Sequence, residues 1–151
     1  MRLQTIWFGL ACCAYLVAAP PAWATLGGTL APPQAAAPPL RSTLRAASHA
    51  GYQVQETVLA SGTVVREFAA LDGKVFAVAW QGPFKPDLQQ LLGASFPRLV
   101  AAGERPHGDH RSLRVNASDL VIESGGRMRA SAGRAYLPAL VPATVSLAEI
   151  Q

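Results

Sequence analysis

The sequence predicts an α+β fold: an antiparallel three-stranded meander, one or two short helices, then a second β-hairpin. Three observations carry this. Runs rich in Val, Thr, Tyr, Phe and Trp cover 52–59, 63–70 and 75–81, parted by Ser61-Gly62 and Asp72-Gly73. These are the residue types of strands and tight turns. Leu88, Leu91 and Leu92 follow Asp87 and stop at Gly93, a helical face with a start and a stop signal. Short apolar runs on either side of Gly125-Gly126 predict the later hairpin.

The N-terminus precedes that domain and differs from it. Arg2 is the only charge in the first 40 residues. An apolar run from Ile6 to Ala19 ends at Pro20-Pro21, and Ala22-Trp23-Ala24 follows. A basic start, a short apolar core and a small-residue site describe a secretory signal peptide over 1–24. A membrane span needs about 20 apolar residues, and this run is shorter. Lipid attachment needs a leucine-like residue three places before the cysteine, then small residues; Cys12 has Gly9 in the first place, and Cys13 has Cys12 in the last. Cleavage after Ala24 removes 24 of 151 residues and leaves 127, with no cysteine. That chain has 12 Lys+Arg against 9 Asp+Glu, a net +3. A thiol nucleophile and a zinc-cysteine cluster are thereby excluded from it. The expected location is the periplasm or the outside of the cell, with no transmembrane anchor in the mature chain. Nucleic acid is disfavoured by compartment and by so small a charge.

Residues 25–39, with four prolines, two glycines and no charge, read as a flexible lead. A single domain is expected over 40–151. Leu40 to His49 reads as a short helix with Leu40, Leu44 and Ala47 on one side. The meander follows. A two-residue Ser61-Gly62 loop would set Glu56 opposite Glu67. A three-residue loop, Ala60-Ser61-Gly62, pairs Glu56 with Arg66, Val58 with Val64 and Val54 with Phe68. The longer loop is preferred because it turns a like-charge clash into an ion pair. A two-residue Asp72-Gly73 loop sets Ala70 opposite Val75, Phe68 opposite Ala77 and Val65 opposite Trp80.

Gly82-Pro83 ends the meander. Asp87 caps one helix. Ser95 starts another with Pro97 in its first turn and Leu99 and Val100 inward. Gly103 to Ser112 has no apolar residue and reads as an exposed loop. Leu113 to Val115 and Leu120 to Glu123 are short strands. After the Gly125-Gly126 turn, Arg127 to Tyr136 runs back, with a bulge at Gly133. Ser146 to Glu149 fits a capping box.

Several stretches resemble a family of uncharacterised secreted proteins of proteobacteria, domain of unknown function 2844. They are Leu26-Gly27-Gly28, the run Ser61 to Glu67, the run Asp72 to Asp87 (DGKVFAVAWQGPFKPD), Leu91 to Gly93, Phe96 to Arg98, and Ser124 to Pro138 (SGGRMRASAGRAYLP). The resemblance implies bacterial origin and an envelope location. It supplies no activity and no assigned site.

Four groups of residues carry candidate chemistry. His107-Gly108-Asp109-His110 has donors suited to zinc or copper, but its spacing does not aim both imidazoles at one ion. It reads as a solvated loop, and no metal or cofactor is expected. Glu56 and Glu67 would form an acid–base pair if the two-residue Ser61-Gly62 loop is the real one. Arg127 and Arg129, two apart on a strand, share a face, and Arg134 joins them if Gly133 is a bulge. Three guanidiniums suit phosphate or carboxylate groups. Trp80 and Phe84 flank a forced turn and are candidates to line a groove for a sugar or peptide. The expected function is a non-catalytic envelope protein binding an anionic component or a protein partner. An envelope hydrolase built on Glu56/Glu67 or the His107-Asp109-His110 loop is the alternative. An accessory subunit of a secreted assembly is a third reading.

Overall fold

The computed structural model describes residues 25–30, 43–104 and 112–151. It overturns the expected architecture. The described residues form one seven-stranded antiparallel sheet with a short helical stretch, not a meander with helices and a separate hairpin. The strands are β1 (Thr43–His49), β2 (Tyr52–Val58), β3 (Val64–Ala70), β4 (Val75–Gly82), β5 (Ser112–Asn116), β6 (Val121–Arg127) and β7 (Ala130–Tyr136). Their order is β1-β2-β3-β4-β7-β6-β5. The second group of strands closes onto the first through β4 and β7. Local turn and strand signals do not carry that long-range pairing.

Two further corrections extend the sheet. Thr43 to His49 is strand β1, not helix, and pairs along its whole length with β2. So short a segment is a poor isolated helix, whereas the open edge of β2 offers it a full ladder. The later turn is Met128-Arg129, with Arg127 opposite Ala130, and Gly125-Gly126 lies inside β6. A turn at the two glycines would have put Glu123 opposite Met128. The observed turn sets it opposite Arg134.

The first hairpin has the register expected from charge pairing. Glu56 faces Arg66, Val58 faces Val64 and Val54 faces Phe68. Leu59 and Thr63 close the three-residue loop, with Gly62 at φ 81. The second hairpin differs by one residue. Its loop is Leu71-Asp72-Gly73, closed by Ala70 and Lys74, with Gly73 at φ 83. Phe76 is the extra residue that restores the register, so Ala69 faces Val75 while Phe68 still faces Ala77 and Val65 still faces Trp80. This bulge sends Phe76 and Ala77 to one face of the sheet, and Val75, Val78 and Trp80 to the other.

Helix α1 (Leu88–Leu92) is capped by Asp87, whose carboxylate accepts from the Gln90 N–H at 3.1 Å. Gly93 to Ser95 is a 3₁₀ turn, and α2 (Phe96–Gly103) carries Pro97 in its first turn. Leu88, Leu91, Leu92 and Leu99 pack against Val65, Val78, Trp80, Ile122 and Ala135 on the helix face. Val100 points out and is exposed, against expectation. Arg98 holds Asp119 in two bonds of 2.7 and 3.0 Å; this lowers the Asp119 pKa.

The opposite face is covered by residues 138–151, a strap of two 3₁₀ turns. Val145 and Ile150 enter a cluster with Tyr52, Phe68, Phe76, Ala77 and Ala79. Ser146 caps the last turn through the Ala148 N–H. Glu149 accepts from the Tyr52 phenol at 3.1 Å. With both faces covered, Val75 to Trp80 is buried throughout. Thr25 to Leu30, the start of the proline-rich lead, is docked as well. The Gly27 N–H donates to the Val75 carbonyl and the Val75 N–H to the Gly28 carbonyl, each at 2.9 Å. Leu26 is buried in the helix-side core.

Candidate functional site

Antiparallel pairing lines up one row of side chains across the strap face. It runs Arg114 (β5), Glu123 (β6), Arg134 (β7), Ala79 (β4), Arg66 (β3) and Glu56 (β2). Each carboxylate is held by arginine. Arg114 Nη2 lies 3.1 Å from Glu123 Oε1, and Arg134 Nε donates to Glu123 Oε2 at 2.9 Å. Arg66 Nε donates to Glu56 Oε2 at 2.9 Å. The two arginines beside Ala79 also grip the strap. Arg134 Nη1 donates to the Leu147 carbonyl at 2.9 Å, and Arg66 Nη1 to the Gln151 main-chain oxygen at 2.6 Å.

Next to this row is a cavity of about 810 Å³ between the strap and strands β4 to β7. Gly125 and Ala132, opposite each other on β6 and β7, leave its floor low. Gln81, Arg114, Glu123 and Arg134 surround it, with Ile150 and Gln151 on the strap side. Trp80, Leu113, Ser124 and Gly133 also border it. Strand alternation turns their side chains to the helix face, so they contribute main chain here. Arg114 is 71% exposed and spends one donor atom on Glu123. A guanidinium has five N–H donors in a flat fork, so most of its capacity faces the cavity and solvent. Gln81 is exposed and makes no side-chain hydrogen bond among the described residues. The arrangement offers an exposed guanidinium and a primary amide beside a flat floor, which suits a carboxylate or phosphate group.

The residues expected from sequence divide. Arg134 and Trp80 border the cavity. Arg127 shares the strap face with Arg134 but lies four residues further along the ladder, about 13 Å at strand rise. Arg129 is in the turn at φ 59. The three arginines therefore do not form one cluster. The β6–β7 register is continuous past Gly133, so the expected bulge is absent. Gly133 serves a different end. A Cβ there would strike the Trp80 ring and meet the Glu123 carbonyl oxygen at 2.6 Å, so the indole lies directly over this main chain. Gly133→Ala is expected to cost about 2 kcal/mol by overpacking, measured by urea unfolding.

Trp80 is buried in the helix-side core and presents no groove surface. Phe84 is 58% exposed. Its main chain is held by Thr63, whose hydroxyl donates to the Phe84 carbonyl at 2.7 Å. Glu56 and Glu67 occupy opposite faces, since adjacent strand residues alternate and Glu56 pairs with Arg66. Glu67 is buried on the helix face, where Gln55 Nε2 reaches its Oε2 at 3.4 Å. Burial pushes its carboxyl up from 4.5 to about 7. The His107-Asp109-His110 loop lies outside the described residues. Among the described residues no three His, Cys, Asp or Glu gather to hold a metal ion, and no helix is long and apolar enough to cross a membrane.

Sequence reasoning missed Arg114, Glu123 and Gln81. The missed signal was charge complementarity: once the turn is moved to Met128-Arg129, Glu123 faces arginine on both sides.

Among the described residues, four buried side-chain polar atoms lack a partner: Glu67 Oε1, Trp80 Nε1, Ser124 Oγ and Ser131 Oγ. Alternation places all four on the helix face. An unmatched buried hydroxyl costs about 1 kcal/mol or more. Ser124→Ala is therefore expected to raise stability by about 1 kcal/mol, seen as a higher denaturant midpoint at unchanged slope.

Fold and site together define a single-sheet β protein with an arginine-bordered surface cavity. The chain belongs to the family described as protein of unknown function, DUF2844, whose model matches residues 22–150. No curated protein matches the chain, and no solved structure matches it.

Proposed function

We propose that this chain is a non-catalytic binding module of the bacterial envelope, taking an anionic component at the strap-face cavity. The carrying observation is the exposed Arg114 guanidinium beside Gln81 and the low Gly125/Ala132 floor. Arg134 and Glu123 hold that guanidinium in place from the next strands. The signal-peptide pattern of residues 1–24 supports the envelope location, and cleavage near Ala24 predicts a native product starting at Thr25. The hydrolase reading through Glu56 and Glu67 loses its geometric basis, because a sheet separates the two carboxyls.

Titration with inorganic phosphate and with a sugar phosphate, followed by amide NMR, tests the site. Shifts should gather at Gln81, Arg114, Gly125 and Ala132 and shrink in Arg114→Gln. Shifts of equal size in that variant would remove the cavity as the site. Fractionation with intact-mass analysis tests location; a cytoplasmic product retaining Met1 would remove the envelope assignment.

A further inference from the structure

Among the described residues, the β6–β7 hairpin outruns both of its neighbours. Pairing of β5 with β6 begins at Ser112 and Gly125, and pairing of β4 with β7 ends at Gly82 and Ser131. Arg127, Met128, Arg129 and Ala130 therefore form a tip beyond the other described strands. Met128 is 94% exposed, the most exposed large apolar side chain among the described residues. Arg127 and Arg129 are exposed on either side of it. Neither makes a hydrogen bond or ion pair among the described residues. Arg129 holds φ 59, a left-handed conformation that glycine adopts freely and arginine does not. No packing or pairing within the described fold uses these three side chains.

An apolar thioether between two unpaired guanidiniums matches one kind of surface well. Guanidinium forks bind phosphate oxygens in two parallel bonds. A flexible apolar side chain beside them reaches the boundary between headgroups and acyl chains. A protein partner would have to supply two acidic groups around an apolar pocket, whereas an anionic bilayer presents both chemistries everywhere.

We propose that the Arg127-Met128-Arg129 tip docks on an anionic phospholipid surface, with Met128 at the acyl boundary and the two arginines on lipid phosphates. This rests on the envelope reading for a membrane within reach, and not on the cavity. Each arginine near such a surface adds about fivefold in affinity, so the docking is reversible and strongly salt-dependent.

The test uses the chain as isolated from its host and two sets of sucrose-loaded vesicles. One set is an equal mix of phosphatidylglycerol and phosphatidylcholine; the other is phosphatidylcholine alone. Sedimentation at physiological salt should favour the anionic set by about tenfold or more. Arg127→Gln with Arg129→Gln should remove most of that preference, and Met128→Ser should weaken binding about threefold. Arg129→Gly is the control against misfolding: it relieves the left-handed strain, so it should melt higher yet bind the anionic set about fivefold less. Lys74→Gln, which removes an exposed charge at the opposite end of β4, should bind vesicles as the parent does. Equal binding to both vesicle sets, or full binding by the double glutamine variant, overturns the tip. Loss of binding in Arg114→Gln with intact tip variants also overturns it and moves lipid recognition to the cavity. Vesicle binding without any phosphate response at Gln81 and Gly125 leaves the tip standing and removes the cavity alone.

Discussion

Ile150→Ala is expected to destabilise the fold by about 3 kcal/mol, within the range for emptying a buried isoleucine site. The side chain is fully buried. It packs with Tyr52, Phe68, Phe76, Ala77 and Ala79, which belong to three different strands. Its neighbours cannot collapse into the gap easily, because the main chain on either side is pinned: Arg134 holds Leu147 and Arg66 holds Gln151. Against a total of about 5–15 kcal/mol for a typical domain, the loss is a large share. The melting temperature should fall by about 10 °C. Leu147→Ala, at 44% exposed, should change it by about 1 kcal/mol or less and serves as the internal comparison. A loss below about 1 kcal/mol for Ile150→Ala would mean that the strap is not part of the cooperative core.

The second expectation concerns pH. Glu67 has its carboxyl raised from 4.5 to about 7 by burial. The folded state therefore holds a proton there over a pH range in which the unfolded chain has released it. Below about pH 4.5 both states are protonated and the group costs nothing extra. Between there and about pH 7 stability falls as pH rises, and above that the penalty stays constant. At about 1.4 kcal/mol per pKa unit, the total is of order 3 kcal/mol. Glu67→Gln keeps the shape and removes the charge. Its stability should match the parent at pH 4 to 5 and exceed it by about 2–3 kcal/mol at pH 8. Thermal melts of both proteins across that range decide the matter. Parallel curves would show that Glu67 is ionised at little cost, through solvent or partners reaching its free oxygen.

The sequence made the first hairpin legible because two signals agreed there. Gly62 supplied the left-handed turn residue, and Glu56 with Arg66 selected the register. The same argument places Glu67 on the opposite face, one residue on, and so excludes the carboxylate pair. The second hairpin was legible away from its turn, because the three-residue loop and the Phe76 bulge cancel. Where two signals were not weighed together, the reading went wrong. Gly125-Gly126 looked like a turn on composition alone, while the charges of Glu123 and Arg134 favoured a turn at Met128-Arg129. Thr43 to His49 has residues that a helix tolerates; only the neighbouring edge of β2 makes it a strand. The strap was hidden for a similar reason. Pro138 and Pro142 break regular structure, and nothing local shows that Val145 and Ile150 return to the sheet.

The central strand has a consequence for the order of folding. Residues 25–30 bond to its beginning, and Ile150 seals its other face, so contributions from far-separated parts of the chain converge on β4. Native packing is then incomplete until residue 150 has left the ribosome. A polypeptide whose keystone is set last stays open while it is being synthesised.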